Sequence, residues 1–231
     1  MELIVISGPA RVGKTTLANF LAREAFDLGF IPHVIGFAEP LKKVAKERGL
    51  TKEENPKEYR EFCQVHGAMK REVDPDYWVK KFEDLLLDIY ERELSDLKEN
   101  KAHWERCVIV DDCRYENEVS LAKKHKGLCV FLSPGARSLE DAKAEWRNHH
   151  SELMASKVEW GCDETKSLFN YIILNDGDAE DLETKAIAMA PVWCNLQASC
   201  DHQFTNLPIH LAELLEEALD QLDMEDEDED P

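Results

Sequence analysis

Residues 2–16 read ELIVISGPARVGKTT: an apolar run, a stretch with two glycines and a proline, then Lys14-Thr15-Thr16. A loop that only reversed the chain would need the glycines but not the lysine and threonines directly behind them. Gly8-x-x-x-x-Gly13-Lys14-Thr15 is the phosphate-binding loop pattern, and it stands where that chemistry requires it, after a buried strand and before a helix. The glycines let backbone N–H groups turn inward around a polyphosphate at a helix N-terminus, where the dipole favours anions. Gly8, Arg11, Val12, Gly13, Lys14, Thr15 and Thr16 are therefore the expected nucleotide-binding residues, and these features alone say phosphate-loop NTPase or kinase; a kinase would take ATP there. Lys14 would neutralise the terminal phosphates and Thr15 would hold Mg²⁺.

Outward from the loop, five short apolar runs read as buried strands: Leu3 to Ile6, His33 to Phe37, Cys107 to Val110, Leu128 to Leu132 and Tyr171 to Leu174. They lack clean alternation, as strands covered on both faces do. Helical stretches lie between them: Lys14 to Asp27, Pro40 to Arg48, Pro56 to Val65, Pro75 to Glu91 and Glu116 to Lys124. Alternating strand and helix predicts an α/β P-loop NTPase fold, a three-layer sandwich around a five-stranded, mostly parallel sheet. A main domain over residues 1–190 is expected to be followed by a helical extension, 191–222, and an acidic tail, 223–231. The polar segment 133–157 reads as a projecting element.

The second chemical motif is CVIVDDCRYENEV, residues 107–119. A strand ending in Asp111-Asp112 puts carboxylates at the carboxyl edge of the sheet, beside the terminal phosphate of a loop-bound nucleotide. Asp111 or Asp112 is expected to orient Mg²⁺; the alternative is an acidic helix cap.

The chain of 231 residues carries 48 acidic against 28 basic side chains, a net charge of −20. That field disfavours a nucleic-acid partner. The seven cysteines are odd in number, scattered, and mostly set in apolar stretches, which suits reduced thiols in a cytoplasmic protein. The apolar run at residues 3–6 is too short for a signal-peptide core or a membrane span, so no membrane partner is expected.

Further motifs appear in order: FAEPLKK after the second strand, REFCQVHGAMKREVDPDYWVKKF, VIVDDCRYENEV, and HHSE followed by IILNDGDAEDL. Together with SGPARVGKTT they resemble the deoxynucleoside monophosphate kinases of tailed bacteriophages, from Glu2 to about Leu182. The resemblance implies a monophosphate-binding segment at 49–82 and a lid at 133–157. It also implies a small-molecule deoxynucleoside monophosphate as acceptor and a place in a host bacterial cytoplasm.

Arg60, Gln64 and Arg71 fall in the segment that resembles the acceptor region, where arginines would take the dianionic phosphate and an amide the base edge. Trp78 would stack on the base or anchor its helix in the core. Arg114 falls where the resemblance puts a residue near the acceptor phosphate; the alternative is a surface salt bridge with Glu116 or Glu118. Arg137 and Arg147 are candidate lid arginines that spread the charge of the moving phosphoryl group. Asn175, in the turn after the last strand, would contact the donor adenine or only shape the turn. His149 and His150 have no required role, because an ionised phosphate acceptor needs no general base.

Two other functions fit the loop. One is phosphorylation of a hydroxymethylated base in DNA, which would need a general base and a basic stripe. The other is a nucleotide-dependent switch. The stretch Ile209 to Leu222 is amphipathic and leaves a homodimer open.

Overall fold

In the computed structural model the described residues are 2–98, 105–134 and 152–198. Five strands form the sheet: β1 (Glu2–Ser7), β2 (Ile31–Ile35), β3 (Arg106–Cys113), β4 (Leu128–Ser133) and β5 (Tyr171–Leu174). Their order is β2-β3-β1-β4-β5 and every pairing is parallel. The helices are α1 (Lys14–Asp27), α2 (Glu39–Glu47), α3 (Pro56–Val73), α4 (Tyr77–Lys98), α5 (Glu116–Lys124), α6 (Leu153–Glu159), α7 (Asp163–Lys166) and α8 (Ala179–Ala198).

The period-two geometry of a strand sorts β1 between two cores. Leu3 and Val5 join Phe82 and Leu86 of α4, Val119 of α5, and Met154 and Val158 of α6 on one face. Ile4 and Ile6 join Leu17 and Leu21 of α1 and Leu182 of α8 on the other. This is the expected three-layer α/β sandwich. No helix of the described residues is long and apolar enough to cross a membrane.

Parallel pairing points all five carboxyl ends to one edge, and the functional residues gather there. The register between β1 and β3 slips near that edge: Val5 pairs with Val110, but Ser7 pairs with Cys113. One extra residue in β3 makes a bulge, which re-aims side chains. Ser7 Oγ fastens the far side by donating to the Cys113 carbonyl at 3.0 Å.

Several boundaries differ from the sequence reading. β2 spans Ile31–Ile35 rather than His33 to Phe37, which frees Gly36 to Ala38 for the loop into α2. α3 continues to Val73 and α4 to Lys98, both well past their expected ends. The end of the expected lid is core: Met154 and Ala155 of α6 are buried against the sheet. α8 runs continuously through the expected boundary at 190. The stretch 209–222 and the acidic tail lie outside the described residues.

Candidate active site

The loop between β1 and α1 is set by backbone geometry that few side chains allow. Gly8 has φ 144°, and a Cβ there would overlap the Leu132 carbonyl oxygen of β4. Arg11 holds a left-handed conformation, φ 66°, uncommon outside glycine. Lys14 opens α1 and is buried. Its ammonium folds back over the loop, donating to the Gly8 carbonyl at 2.8 Å and the Pro9 carbonyl at 2.7 Å. Burial, aided by the Arg114 guanidinium, pushes its pKa down to about 8 against the pull of Glu152, Asp112 and Asp111. Thr15 and Thr16 are exposed on the first turn of α1, and Val12 is buried under the loop.

The two aspartates of β3 part company. Asp111 Oδ2 accepts the Thr15 hydroxyl at 2.7 Å, which brings a carboxylate and a hydroxyl together beside the loop. This all-oxygen pair suits Mg²⁺, a hard cation that keeps several waters. Asp112 is otherwise committed: its oxygens accept the backbone N–H groups of Phe37 at 2.7 Å and Ala38 at 3.2 Å, where α2 begins. Lys42 of α2 stands 3.9 Å away. Asp112, expected among the catalytic residues, here holds the β2–α2 loop. Burial raises its pKa.

Asn175, just past β5, donates its side-chain amide to the Val12 carbonyl at 2.7 Å. That amide braces the loop from the end of β5, with β4 lying between β5 and β1.

On the far side of the loop, two arginines come together around α5. Glu118 is buried and accepts the backbone N–H of Arg114 at 2.7 Å and of Tyr115 at 3.1 Å, a reciprocal cap at the start of the helix. Burial pushes its pKa up to about 7. Arg71 of α3 reaches it at 3.7 Å and lays its guanidinium 4.1 Å from the Tyr115 ring centroid. Arg114 pairs with Glu152, which also takes the Ala10 backbone N–H at 2.9 Å. Arg114 thus forms a salt bridge with Glu152, which comes from a segment 38 residues away, while Glu118 accepts its backbone N–H.

Arg60 and Gln64 are exposed on α3, on the same helical stripe as Arg71. Trp78, expected among the substrate-binding residues, is instead buried and donates its indole N–H to the Gly67 carbonyl at 3.1 Å. It pins α4 to α3, the core alternative for that residue. Arg137, Arg147, His149 and His150 lie outside the described residues.

The family described as an AAA domain matches residues 4–152, well over half of the sequence. The chain belongs to the AAA domain family. No curated protein sequence matches it. Solved structures similar to this AAA domain include shikimate kinase from Aquifex aeolicus, with 15% identity and a TM-score of 0.39 over 84% of this chain and 99% of that one. Dephospho-CoA kinase from Campylobacter jejuni has 17% identity and a TM-score of 0.43 over 85% and 100% of the respective chains. Shikimate kinase from Acinetobacter baumannii, in complex with shikimate, has 16% identity and a TM-score of 0.38 over 88% and 96%.

Within the matched span of this AAA domain lie the loop, both aspartates, Arg71, Arg114, Glu118 and Glu152. Glu118 and the loop-bracing role of Asn175 escaped the sequence reading. A polar residue directly after a strand of a parallel sheet was the available signal for Asn175, since every such position lands on one edge. Glu118 read as an ordinary surface residue of α5.

Proposed function

We propose that the chain is an ATP-dependent deoxynucleoside monophosphate kinase. It would transfer the terminal phosphoryl group of Mg-ATP to the monophosphate, giving the diphosphate and ADP. The observation that carries this reading is the pairing of Arg71 and Arg114 around Tyr115 and Glu118, with Arg114 tied to the phosphate loop through Glu152. Two guanidinium groups beside a triphosphate loop suit an acceptor that is itself a dianion. A neutral hydroxyl acceptor would call for a general base instead. The order of the sequence motifs supports the deoxynucleotide and a place in phage nucleotide metabolism.

In this reading Gly8 to Thr16 cradle the triphosphate, and Lys14 swings from the Gly8 and Pro9 carbonyls onto its terminal oxygens. Thr15 and Asp111 would hold Mg²⁺, which neutralises phosphate charge when bound. Arg114 and Arg71 take the acceptor phosphate, while Arg60 and Gln64 on the same stripe of α3 face the remainder of the nucleotide. Arg137 and Arg147 would close over the transferring group. The acceptor oxygen is already ionised near pH 7, so positioning and charge neutralisation supply the catalysis.

The test is an ADP-release assay with Mg-ATP against each deoxynucleoside and ribonucleoside monophosphate, and against hydroxymethylated DNA, with Lys14→Ala as control. Turnover with one or a few deoxynucleoside monophosphates, lost in the variant, is the expected result. Turnover with the DNA alone, or with none while ATP binds, would overturn it.

A further inference from the structure

Arg71, in the last turn of α3, has a guanidinium framed by three residues. Its central carbon lies over the Tyr115 ring, 4.1 Å from the centroid. Its Nη2 stands 3.7 Å from Oε1 of Glu118. On its own helix Gly67 leaves the space, since a Cβ there would come within 3.4 Å of Nη1. What the group lacks is a hydrogen bond. A guanidinium carries five N–H donors, and among the described residues none of those on Arg71 meets an acceptor within hydrogen-bond distance. It is oriented but unspent, and its side chain is 28% exposed.

Glu118 divides its two oxygens between two tasks. Oε2 accepts both backbone N–H groups, that of Arg114 at 2.7 Å and that of Tyr115 at 3.1 Å, and so caps α5. Oε1 is the atom that faces Arg71. A carboxylate so deeply buried is costly unless hydrogen bonds and an opposite charge meet it. The start of α5 supplies the first and Arg71 the second.

We propose that Glu118 is a positioning residue for phosphoryl transfer: its Oε1 sets the Arg71 guanidinium on the Tyr115 ring with its N–H donors unspent, ready for the dianionic phosphate of the acceptor. The inference rests on the kinase reading above and deepens it, because it names what orients the acceptor's arginine. An ion pair at 3.7 Å draws the guanidinium without consuming a donor, so a phosphate can take charge-assisted hydrogen bonds from it without first breaking any.

The division of the oxygens offers a substitution that separates the two tasks. Glutamine at 118 can keep its carbonyl oxygen in the place of Oε2, so that α5 stays capped, and then turns towards Arg71 an amide that only donates. The experiment is steady-state kinetics on Glu118→Gln, with the accepted monophosphate and Mg-ATP varied in turn. KM for the monophosphate should rise about tenfold or more while KM for Mg-ATP stays within about twofold. In an Arg71→Ala background the same substitution should add less than about twofold to the monophosphate KM. An unchanged monophosphate KM, equal increases in both backgrounds, or a KM for Mg-ATP that rises in step would overturn the proposal and leave Glu118 a helix cap only. If Glu118→Gln does not fold, Glu118→Asp, which draws the charge back by one methylene, takes its place in the same cycle.

A second arm needs no acceptor. The Arg71 Nε–H signal in a ¹⁵N spectrum, identified by its loss in Arg71→Ala, should show the heteronuclear NOE of an ordered side chain in the unaltered protein and fall towards that of surface arginines in Glu118→Gln. An NOE that is low from the start, or the same in both, would overturn the positioning role. Should no monophosphate be accepted by the unaltered chain, the kinase reading fails with its acceptor, while this arm still decides whether Glu118 orients Arg71.

Discussion

Burial of the Lys14 ammonium beside Arg114 leaves it with a pKa of about 8, so a measurable fraction is neutral at mildly alkaline pH. A triphosphate in the loop supplies negative charge and draws the proton back. Mg-ATP binding should therefore take up a proton above about pH 8, and affinity should fall by up to about tenfold per pH unit beyond it. Calorimetry at pH 8.5 in buffers of different ionisation heat checks the proton count; affinity unchanged from pH 7 to 9.5 would refute it. At the same scale, Asp111→Asn removes the charge beside the Thr15 hydroxyl while keeping its acceptor oxygen. The Mg²⁺ concentration for half-maximal rate should rise about tenfold or more. A magnesium titration at saturating ATP measures this, and an unchanged midpoint would take Asp111 out of the metal site.

Among the elements, α3 and α4 are joined by a buried hydrogen bond whose loss is predictable. Trp78→Phe keeps an aromatic ring but removes the donor to the Gly67 carbonyl, so it should cost about 1–2 kcal/mol in urea unfolding. A cost near zero would mean that the ring alone holds the helices.

Element identity was largely legible because the signals were local. The bounds of α1 and α5 agree with their sequence patterns, the one behind the loop glycines and the other behind Arg114-Tyr115. α3 was read too short because Gly67, a poor helix former, falls just past the expected end at Val65. The partition of Asp111 from Asp112 could not be read, since it depends on the bulge in β3, a property of strand pairing rather than of either residue. Glu152 was visible as part of HHSE, but its role needed the approach of the Ala10 amide, 142 residues away.

For the whole molecule, two carboxyl groups set a shared pH dependence. Glu2 and Glu118 have their pKa values pushed up to about 7, in each case chiefly by burial. Unfolded, such groups ionise near 4.5, so between pH 4.5 and 7 the folded chain binds more protons and loses stability as pH rises. Glu118 alone contributes up to about 3 kcal/mol of that loss. Denaturant midpoints across this window should decline, and Glu118→Gln should flatten the decline; a slope identical in the variant would remove Glu118 as a source.

The central place of β1 also has a consequence in time. Its hydrogen-bonded neighbours are β3, about a hundred residues downstream, and β4, later still. During synthesis the phosphate loop, however early in the chain, has no sheet to lean on until Leu132 has emerged, because Gly8 packs against that carbonyl. Such long-range closure makes for slow folding. A nascent chain stalled short of β4 should not retain ATP, and the onset of nucleotide retention would mark when the sheet closes.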